Sequence, residues 1–304
     1  MNSILNALPN PGTPDNRYIG RFAPSPTGPL HFGSLVAAMA SYLDAKAHKG
    51  TWLVRIEDID EARTVPGAAE SILQTLAALG MQPDGDVVWQ STRKELYQHA
   101  LERLQDHTYP CGCTRREIAD SLTSLAADGA AIYPGTCRNG LAPGKVARTY
   151  RLRVPGDTGG RICFRDRWMG EVCQDLASEV GDFVLKRADG FWAYQLAVVV
   201  DDGDQGVTHV VRGEDLLDST PRQIYLQRLL QLPTPAYLHV PVVVNERGEK
   251  LSKQTGATAL NSARPLEELI AAARFLRLEA GDASSIDTFW KTALSQWERR
   301  FNTR

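Results

Sequence analysis

The stretch YIGRFAPSPTGPLHFGSLVAAMASYLDAKAHKG, residues 18–50, decides the fold. It begins with a short apolar run that predicts a buried strand, and continues into a loop of prolines, glycines and hydroxyl side chains that carries His31. Apolar residues at helical spacing follow, up to Gly50, which is placed to end the helix. The next run, TWLVRIE at 51–57, predicts a second strand. Strand, loop, helix and strand form the βαβ unit of a doubly wound parallel α/β sheet, whose ligands bind at the carboxyl ends of the strands.

The composition is typical of a folded enzyme. The chain has 304 residues, 43% of them hydrophobic and 23% charged, with a formal net charge of -2. These values exclude a disordered chain and a strongly basic nucleic-acid binder, so any RNA contact must come from a local basic face. The N-terminus has no secretory-signal pattern and no apolar run has membrane-spanning length, which predicts a cytoplasmic protein. Five cysteines favour metal binding or simple burial over a disulfide framework.

Further helices and strands are indicated downstream. Residues 67–80 and 92–106 have helical spacing, and Thr92 and Glu95 have capping-box spacing at the start of the second helix. Residues 183–202 predict a hairpin turned at 189–190, whose second arm, YQLAVVV, is apolar enough to rejoin the main sheet. The run VTHVVRGED at 207–215 predicts another strand of that sheet. Two helices, the second of them short, are expected in the last fifty residues.

Two motifs carry phosphate chemistry. Small residues in the first loop permit backbone amides and a helix N-terminus to approach a nucleotide, with His31 donating to phosphate. The motif KLSKQ at 250–254 places Lys250 and Lys253 around a serine, as point charges suited to a triphosphate under attack. Either motif alone also occurs as an ordinary surface loop or a solvated patch. Together, in this order and at the two ends of an α/β pattern, they indicate a nucleotide site.

The residues APSPTGPLHFGS at 23–34 and KLSKQ resemble the two signature motifs of class I aminoacyl-tRNA synthetases. RFAPSPTG at 21–28 with RIEDID at 55–60 resembles the glutamyl branch, and the likeness spans roughly 17–254. The resemblance implies a Rossmann-type catalytic domain, ATP as a substrate with Mg²⁺, and catalytic roles for His31, Lys250 and Lys253. Departures from the family pattern occur at Ser34, Leu251 and Gln254. The ATP-binding residues that it implies are Pro24, Thr27, Gly28, His31, Gly33, Ser34 and Lys253.

A glutamate substrate carries two carboxylates and one ammonium, so its site needs arginines and an acid. The same resemblance implies that Glu57 binds the amine and that Arg21, Tyr194 and Arg212 bind the side-chain carboxylate. Each has a plain alternative, as a surface ion pair, a strand-end charge or a core residue. The full set of implied glutamate-binding residues is Arg21, Ser25, Glu57, Tyr194 and Arg212.

Three cysteines lie in a loop-rich stretch, at Cys111, Cys113 and Cys137. Their spacing alone leaves zinc and plain burial open, because zinc normally takes four ligands and this is not a CxxC pattern. Some zinc-bearing members of the glutamyl family use cysteine, cysteine, tyrosine and cysteine at similar intervals, which implies Tyr133 as the fourth ligand; His107 or water could serve instead. The other two cysteines, Cys163 and Cys173, lie in segments with the alternating pattern of a strand and are expected to be buried apolar residues. DDGDQG at 201–206 lacks a calcium-loop glutamate and predicts a polar turn at a strand end.

The resemblance and the patterns together predict five segments. These are a flexible leader (1–16), the first half of the catalytic domain (17–107), an inserted acceptor-binding and zinc-bearing α+β module (108–180), the second half of the catalytic domain (181–254) and a short helical C-terminal segment (255–304).

Fifty residues after KLSKQ are expected to be too few for an anticodon-binding module. Chain length, the cysteine-tyrosine-cysteine stretch, HFGS and KLSKQ resemble the glutamyl-Q tRNA(Asp) synthetase family. That resemblance implies tRNA-independent activation of L-glutamate and its transfer to queuosine in the anticodon loop of tRNA(Asp), by a monomer. The alternatives are a minimal synthetase that charges tRNA(Glu), a nucleotidyltransferase of the same superfamily, and a non-catalytic RNA-binding relative. Arginines of the inserted strands are candidates for RNA contact or for a solvated face: Arg148, Arg151, Arg153, Arg161, Arg165 and Arg167.

Overall fold

The computed structural model describes residues 17–120, 132–156, 158–244, 259–261 and 263–301. Within these ranges the strands are β1 (Ile19–Phe22), β2 (Thr51–Ile56), β3 (Val88–Trp89), β4 (Thr108–Cys111), β5 (Thr149–Leu152), β6 (Arg161–Asp166), β7 (Gly170–Asp175), β8 (Val184–Lys186), β9 (His209–Gly213) and β10 (Ala236–Val240). The α-helices are α1 (Phe32–Ala47), α2 (Ala68–Ala78), α3 (Lys94–Arg103), α4 (Arg115–Asp120), α5 (Leu176–Glu179), α6 (Tyr194–Asp204), α7 (Thr220–Leu229), α8 (Pro265–Phe275) and α9 (Ile286–Phe301).

A seven-stranded sheet in the order β3-β2-β1-β9-β10-β6-β7 forms the centre of the molecule. Its strands are parallel except β7, which forms an antiparallel hairpin with β6. The chain runs outward from β1 to β3 on one side and from β9 to β10 on the other, so the strand order reverses between β1 and β9. A parallel sheet with such a reversal has its ligand crevice at the carboxyl ends of the two strands. The predicted doubly wound α/β fold is confirmed.

The stretch 108–180 contributes to two sheets. Strands β4, β5 and β8 form a separate three-stranded antiparallel sheet, which carries the cysteine-bearing segment. The β6–β7 hairpin instead extends the main sheet, where Tyr237 of β10 stands opposite Asp166 of β6. The predicted insertion is therefore divided, and its hairpin reaches the elements that build the crevice.

The prediction of a strand for YQLAVVV is wrong, because these residues form the first two turns of α6. An apolar run of this length fits a buried helix as well as a buried strand. Helix α6 packs Leu196 and the following apolar residues into the core, and it ends in DDGD. The polar turn predicted at a strand end is thus the last turn of a helix, with Asp201 and Asp202 both buried.

Two smaller predictions also fail. Thr92 does not cap α3, because a 3₁₀ turn at Gln90–Arg93 precedes the helix and the Thr92 hydroxyl donates to the Trp89 carbonyl instead. Helix α9 is 16 residues long rather than short, and its buried face includes Phe289 and Trp297. Among the described helices, none combines the length and the apolar character that a membrane crossing requires.

Glycine at position 50 is required by close packing. Helix α1 ends at Ala47, and Lys49 takes a positive φ of 52° before the chain enters β2. A Cβ on Gly50 would lie 2.5 Å from the carbonyl oxygen of Tyr18, a distance at which the backbone must move. The residue therefore permits β1 and β2 to start side by side.

A buried cluster at the amino end of β1, which we term the Asp44 hub, joins four distant segments. Asp44 is fully buried and accepts a hydrogen bond from the Tyr18 hydroxyl at 2.6 Å. Arg167 donates to both of its oxygens, at 2.6 and 2.9 Å, and the Trp297 indole donates at 2.9 Å. These bonds overcome the effect of burial and hold the pKa of Asp44 below its usual value. Arg167, one of the arginines considered for RNA contact, is thus committed to this hub.

The expectation that Cys163 and Cys173 are buried is wrong. They stand opposite each other on β6 and β7, on the exposed face of the hairpin, and they form a disulfide. Side chains alternate between the two faces of a strand, so the buried face here is formed by neighbours such as Ile162 and Gln174. The strand pattern was right, but the two cysteines lie on its solvent face.

Candidate active site

A cleft of about 620 Å³ opens at the carboxyl ends of β1, β2, β9 and β10. It lies at the point where the strand order reverses, which is where the sheet topology predicts a ligand. Lys250 and Lys253 lie outside the described residues. The predicted site residues that line the cleft are Arg21, Pro24, Ser25, Thr27, His31, Gly33, Ser34, Glu57, Tyr194 and Arg212.

The first loop is held in place by its own backbone and by the start of α1. Gly28 has a φ of 139°, in the region that favours glycine. His31 is the N-cap of α1: its Nδ1 accepts from the Ser34 amide at 3.3 Å, and its Nε2 lies 3.0 Å from the Ser34 hydroxyl. Ser34, which departs from the family signature, therefore orients the imidazole. Ala259 bridges to His31, and Val243 lines the cleft, so the described chain on both sides of KLSKQ borders the site.

Buried ion pairs form the floor of the cleft. Asp202 binds Nε and Nη2 of Arg21 at 3.1 and 3.3 Å, and it accepts from Nη2 of Arg55 at 2.8 Å. Asp201, the preceding residue, accepts from Arg93 at 2.7 Å. Because Asp202 occupies one edge of the Arg21 guanidinium, Nη1 is the nitrogen not used in this pair. The last turn of α6 thus fixes Arg21, one residue before the end of β1.

Glu57 follows β2 directly and lies 3.5 Å from Nη2 of Arg55. Its side chain is only 8% exposed, and burial raises its pKa to about 7 despite the attraction of Arg55 and Arg21. Asp202 and Asp201, which are negative neighbours, push the pKa in the same direction as burial. A cation that enters the cleft would therefore stabilise the ionised form of Glu57.

Arg212, one residue before the end of β9, lies on the opposite side of the cleft and is almost fully buried. Its Nε donates to Nε2 of His239 at 3.0 Å, and its Nη2 donates to the Thr220 hydroxyl at 2.8 Å. Its Nη1 donates to the Tyr194 hydroxyl at 3.4 Å. Burial raises the pKa of Tyr194, so this phenol stays neutral and can serve as a donor. Nη1 and Tyr194 together form a hydrogen-bonding edge suited to a carboxylate.

Sequence reasoning missed several polar residues that support the site. The sequence pattern predicts only a polar turn at Asp201 and Asp202, although two acids directly after an apolar run, with arginines near the ends of two strands, are a signal for buried pairing. No local signal pointed to His239 or Asp166, which meet across 73 residues of sequence.

The three cysteines predicted for zinc lie together at the edge of the small sheet. The sulfurs of Cys111, Cys113 and Cys137 all lie within 4.8 Å of one another. The Tyr133 phenol oxygen is 3.4 Å from Cys111 Sγ and 3.5 Å from Cys113 Sγ, and it accepts from the Cys137 amide at 2.8 Å. His107 is not among the potential ligands in this described cluster. Three thiols and one phenol match the number of ligands of a tetrahedral metal site, and the thiols are of the type that zinc prefers.

Comparison with known proteins places this geometry in a family. Residues 19–270 match the model of the class I tRNA synthetases (E and Q), catalytic domain. A glutamyl-Q tRNA(Asp) synthetase from Janthinobacterium sp. (strain Marseille) is 70% identical over 94% of this chain and 98% of its own length. The protein of that name from Burkholderia cenocepacia (strain J2315) is 64% identical, over 97% of this chain and 99% of its own.

Solved structures show the same fold. A glutamate tRNA ligase from Elizabethkingia meningosepticum, in complex with its amino acid, has a TM-score of 0.73 and 27% identity over 91% of this chain. The glutamate-tRNA synthetase from Elizabethkingia anophelis has a TM-score of 0.68 and 30% identity over 79% of this chain. The chain spans 64% and 53% of the lengths of these two proteins, respectively.

Proposed function

Because this chain belongs to the glutamyl-Q tRNA(Asp) synthetase family, within the class I tRNA synthetases of the glutamyl and glutaminyl branch, we propose that it performs that family's reaction. It activates L-glutamate with ATP, without tRNA, and transfers the glutamyl group to queuosine at the wobble position of tRNA(Asp). The observation that carries this proposal is one cleft in which the His31 loop, Glu57 and Arg212 face a common space. A nucleotide and a dicarboxylic amino acid require these groups.

In the first step the α-carboxylate oxygen of glutamate attacks the α-phosphorus of ATP, and pyrophosphate leaves. Glu57 receives the ammonium group, while Arg21, Tyr194 and Arg212 receive the side-chain carboxylate. Ser25 contacts the amino acid, and the other residues of the first loop border the nucleotide. His31, at the start of α1, faces the phosphates. Catalysis of this kind rests on positioning and on stabilising negative charge, with no covalent enzyme intermediate.

Further groups complete the proposal. Lys250 and Lys253 contribute positive charge at the triphosphate, and Mg²⁺, when bound to ATP, neutralises phosphate oxygens. In the second step a hydroxyl of the queuosine cyclopentenediol attacks the acyl carbon of glutamyl-adenylate, and AMP leaves. Bases of an anticodon loop can be splayed out, so a reactive centre on a wobble base is accessible to a cleft. We propose that the protein acts as a monomer in the cytoplasm.

The decisive experiment offers three acceptors to the purified protein with ATP and labelled glutamate. We expect label on tRNA(Asp) that bears queuosine, and none on tRNA(Asp) that lacks it or on tRNA(Glu). Label on tRNA(Glu) alone would replace the proposal with a minimal glutamyl-tRNA synthetase. Pyrophosphate exchange without transfer to any of the three would refute the acceptor, and no glutamate-dependent exchange would refute the activation step.

The cysteine cluster is proposed to hold one structural Zn²⁺ through Cys111, Cys113, Tyr133 and Cys137. When bound, the ion would link β4 to the loop that carries Cys137. Cys111→Ser is expected to abolish metal retention through dialysis, and Tyr133→Phe to weaken zinc affinity roughly tenfold or more. The matched control replaces both Cys163 and Cys173 of the exposed hairpin with Ser, so that no thiol is freed, and it should leave the zinc content unchanged. Metal analysis that finds no zinc in the unmodified protein would refute the site.

A further inference from the structure

A chain of buried hydrogen bonds runs from the β6–β7 hairpin to the edge of the cleft. Asp166, at the end of β6, accepts from Nδ1 of His239 at 2.7 Å. Both side chains are fully buried. His239, on β10, accepts from Nε of Arg212 at 3.0 Å through its other ring nitrogen, Nε2. The carboxylate, the imidazole and the guanidinium therefore stand in one line that ends at a cleft-lining arginine.

The chemistry of imidazole determines which atom donates in each of these hydrogen bonds. Nδ1 carries the proton that Asp166 accepts, so the neutral ring must present its lone pair at Nε2, which is where Arg212 donates. The Asp166 carboxylate also accepts from the amides of Trp168 and Met169, at 2.9 and 2.8 Å, so its position is fixed by the hairpin turn. The tautomer of His239 is thereby fixed by a residue that does not touch the cleft.

The charges around His239 favour the neutral ring. Burial and the positive charges of Arg212 and Arg21 lower its pKa, against the attraction of Asp166. Tyr237 stacks on the ring with a centroid distance of 6.0 Å, and its own pKa is raised by burial, so it adds no charge. A charged imidazole would present an N–H where Nε of Arg212 now donates, and the two donors cannot satisfy each other. That N–H could then bond only to the Thr220 hydroxyl, which lies 3.1 Å from Nε2, and Nε of Arg212 would lose its acceptor.

We propose that Asp166 and His239 are positioning residues for substrate recognition: they hold the Nε edge of Arg212 so that its Nη1 edge faces the substrate carboxylate. Thr220 shares this task, because its hydroxyl accepts from Nη2 at 2.8 Å. With Nε and Nη2 engaged by the protein, Nη1 and the Tyr194 hydroxyl remain as the edge that meets the ligand. The inference rests on the proposed function, since it takes the ligand of Arg212 to be glutamate.

Three substitutions separate this role from general support of the fold. His239→Asn keeps a donor toward Asp166 but offers no acceptor to Nε of Arg212, whereas His239→Gln offers an oxygen near the position of Nε2. Asp166→Asn keeps the shape and the bonds of the turn, but its amide group would force the ring proton from Nδ1 to Nε2. That proton would then oppose the N–H of Arg212.

The test measures glutamate-dependent ATP–pyrophosphate exchange as a function of glutamate and of ATP. We expect His239→Asn and Asp166→Asn to raise the KM for glutamate roughly tenfold to a hundredfold, with the KM for ATP within about twofold, because one buried donor is left unpaired. His239→Gln should recover most of the loss. Nitrogen NMR of the imidazole should show the proton on Nδ1 in the unmodified protein and on Nε2 in Asp166→Asn.

Equal increases in both KM values, or the same defect in His239→Asn and His239→Gln, would overturn the positioning role. The two proposals fail in different ways. If the unmodified protein shows no glutamate-dependent exchange, the proposed function fails and the inference with it. If the unmodified protein is active and the variants keep its KM for glutamate, the function stands and the inference alone is refuted.

Discussion

The two ends of β1 hold buried charges that are organised in opposite ways. At the amino end, both oxygens of Asp44 are occupied by donors from Tyr18, Arg167 and Trp297. At the carboxyl end, burial raises the pKa of Glu57 toward neutrality, and the Nη1 edge of Arg212 faces the cleft beside Tyr194. A cluster whose groups satisfy one another stabilises the fold, whereas one whose groups are incompletely matched can bind a ligand of complementary charge.

Arg212→Ala is expected to give the largest effect and to break the cleft side of this comparison. It removes the partner of a desolvated carboxylate, so kcat/KM for glutamate should fall roughly a hundredfold or more while the KM for ATP changes little. Exchange assays at varied glutamate and ATP measure both quantities. Arg212→Lys keeps the charge but loses the planar fork, so its kcat/KM for glutamate should lie between those of the unmodified protein and Arg212→Ala. Equal losses toward both substrates would assign Arg212 a structural role.

Asp44→Asn tests the other end of the strand. It leaves the partly buried Arg167 without a counter-charge, so we expect a loss of unfolding free energy of about 3 kcal/mol and a Tm lower by roughly 5 °C. Thermal unfolding followed by circular dichroism measures the change. Glu267→Gln breaks the exposed pair with Arg264 and should cost under about 1 kcal/mol. A Tm close to that of the unmodified protein, or a raised KM for glutamate in folded Asp44→Asn, would contradict the division of roles.

The pH dependence of glutamate binding is the smallest expected effect. With a pKa of about 7, the ionised fraction of Glu57 rises roughly tenfold between pH 6 and pH 8. The ammonium group of free glutamate stays charged over this range, because the neighbouring carboxylate makes it a weaker acid than a peptide N-terminus. The KM for glutamate should therefore fall about tenfold over this range, and the KM for ATP should not follow it. Glu57→Gln should raise the KM for glutamate and flatten its pH profile. An unchanged profile in Glu57→Gln would assign the titration to another group.

The raised pKa of Glu57 also makes stability depend on pH, in the direction opposite to the dependence that Asp44 produces. The folded chain holds the Glu57 proton where the unfolded chain has released it, so this group's contribution to stability declines as pH rises from about 4.5 to about 7. The lowered pKa of Asp44 instead gives a contribution that is present above the unfolded pKa and is lost as pH falls.

Features encoded by contiguous residues could be predicted from the sequence, whereas features that depend on distant residues could not. Strand β1, its loop and helix α1 were predictable because the glycines, the prolines and the apolar spacing are contiguous. Helix α6 was not, since a short apolar run has no period that separates a buried helix from a buried strand. The residues that family motifs imply for ATP and glutamate are brought together, since all those within the described chain except Gly28 line the cleft. Asp166 and His239 escaped because their pairing depends on the hairpin joining the far side of the sheet.

Asp166 and Arg167 are consecutive residues at the end of β6, and they face two different clusters. Asp166 is bonded to His239 near the cleft, and Arg167 is bonded to Asp44 at the opposite end of β1. A chimera that exchanged 108–180 with a paralogue would therefore replace both Asp166 and Arg167 at once, and it would also separate β4 and β5 from β8, their partner in the small sheet. A workable exchange would leave 161–175 with the recipient, so the boundary for module swapping runs through the predicted insertion and not around it.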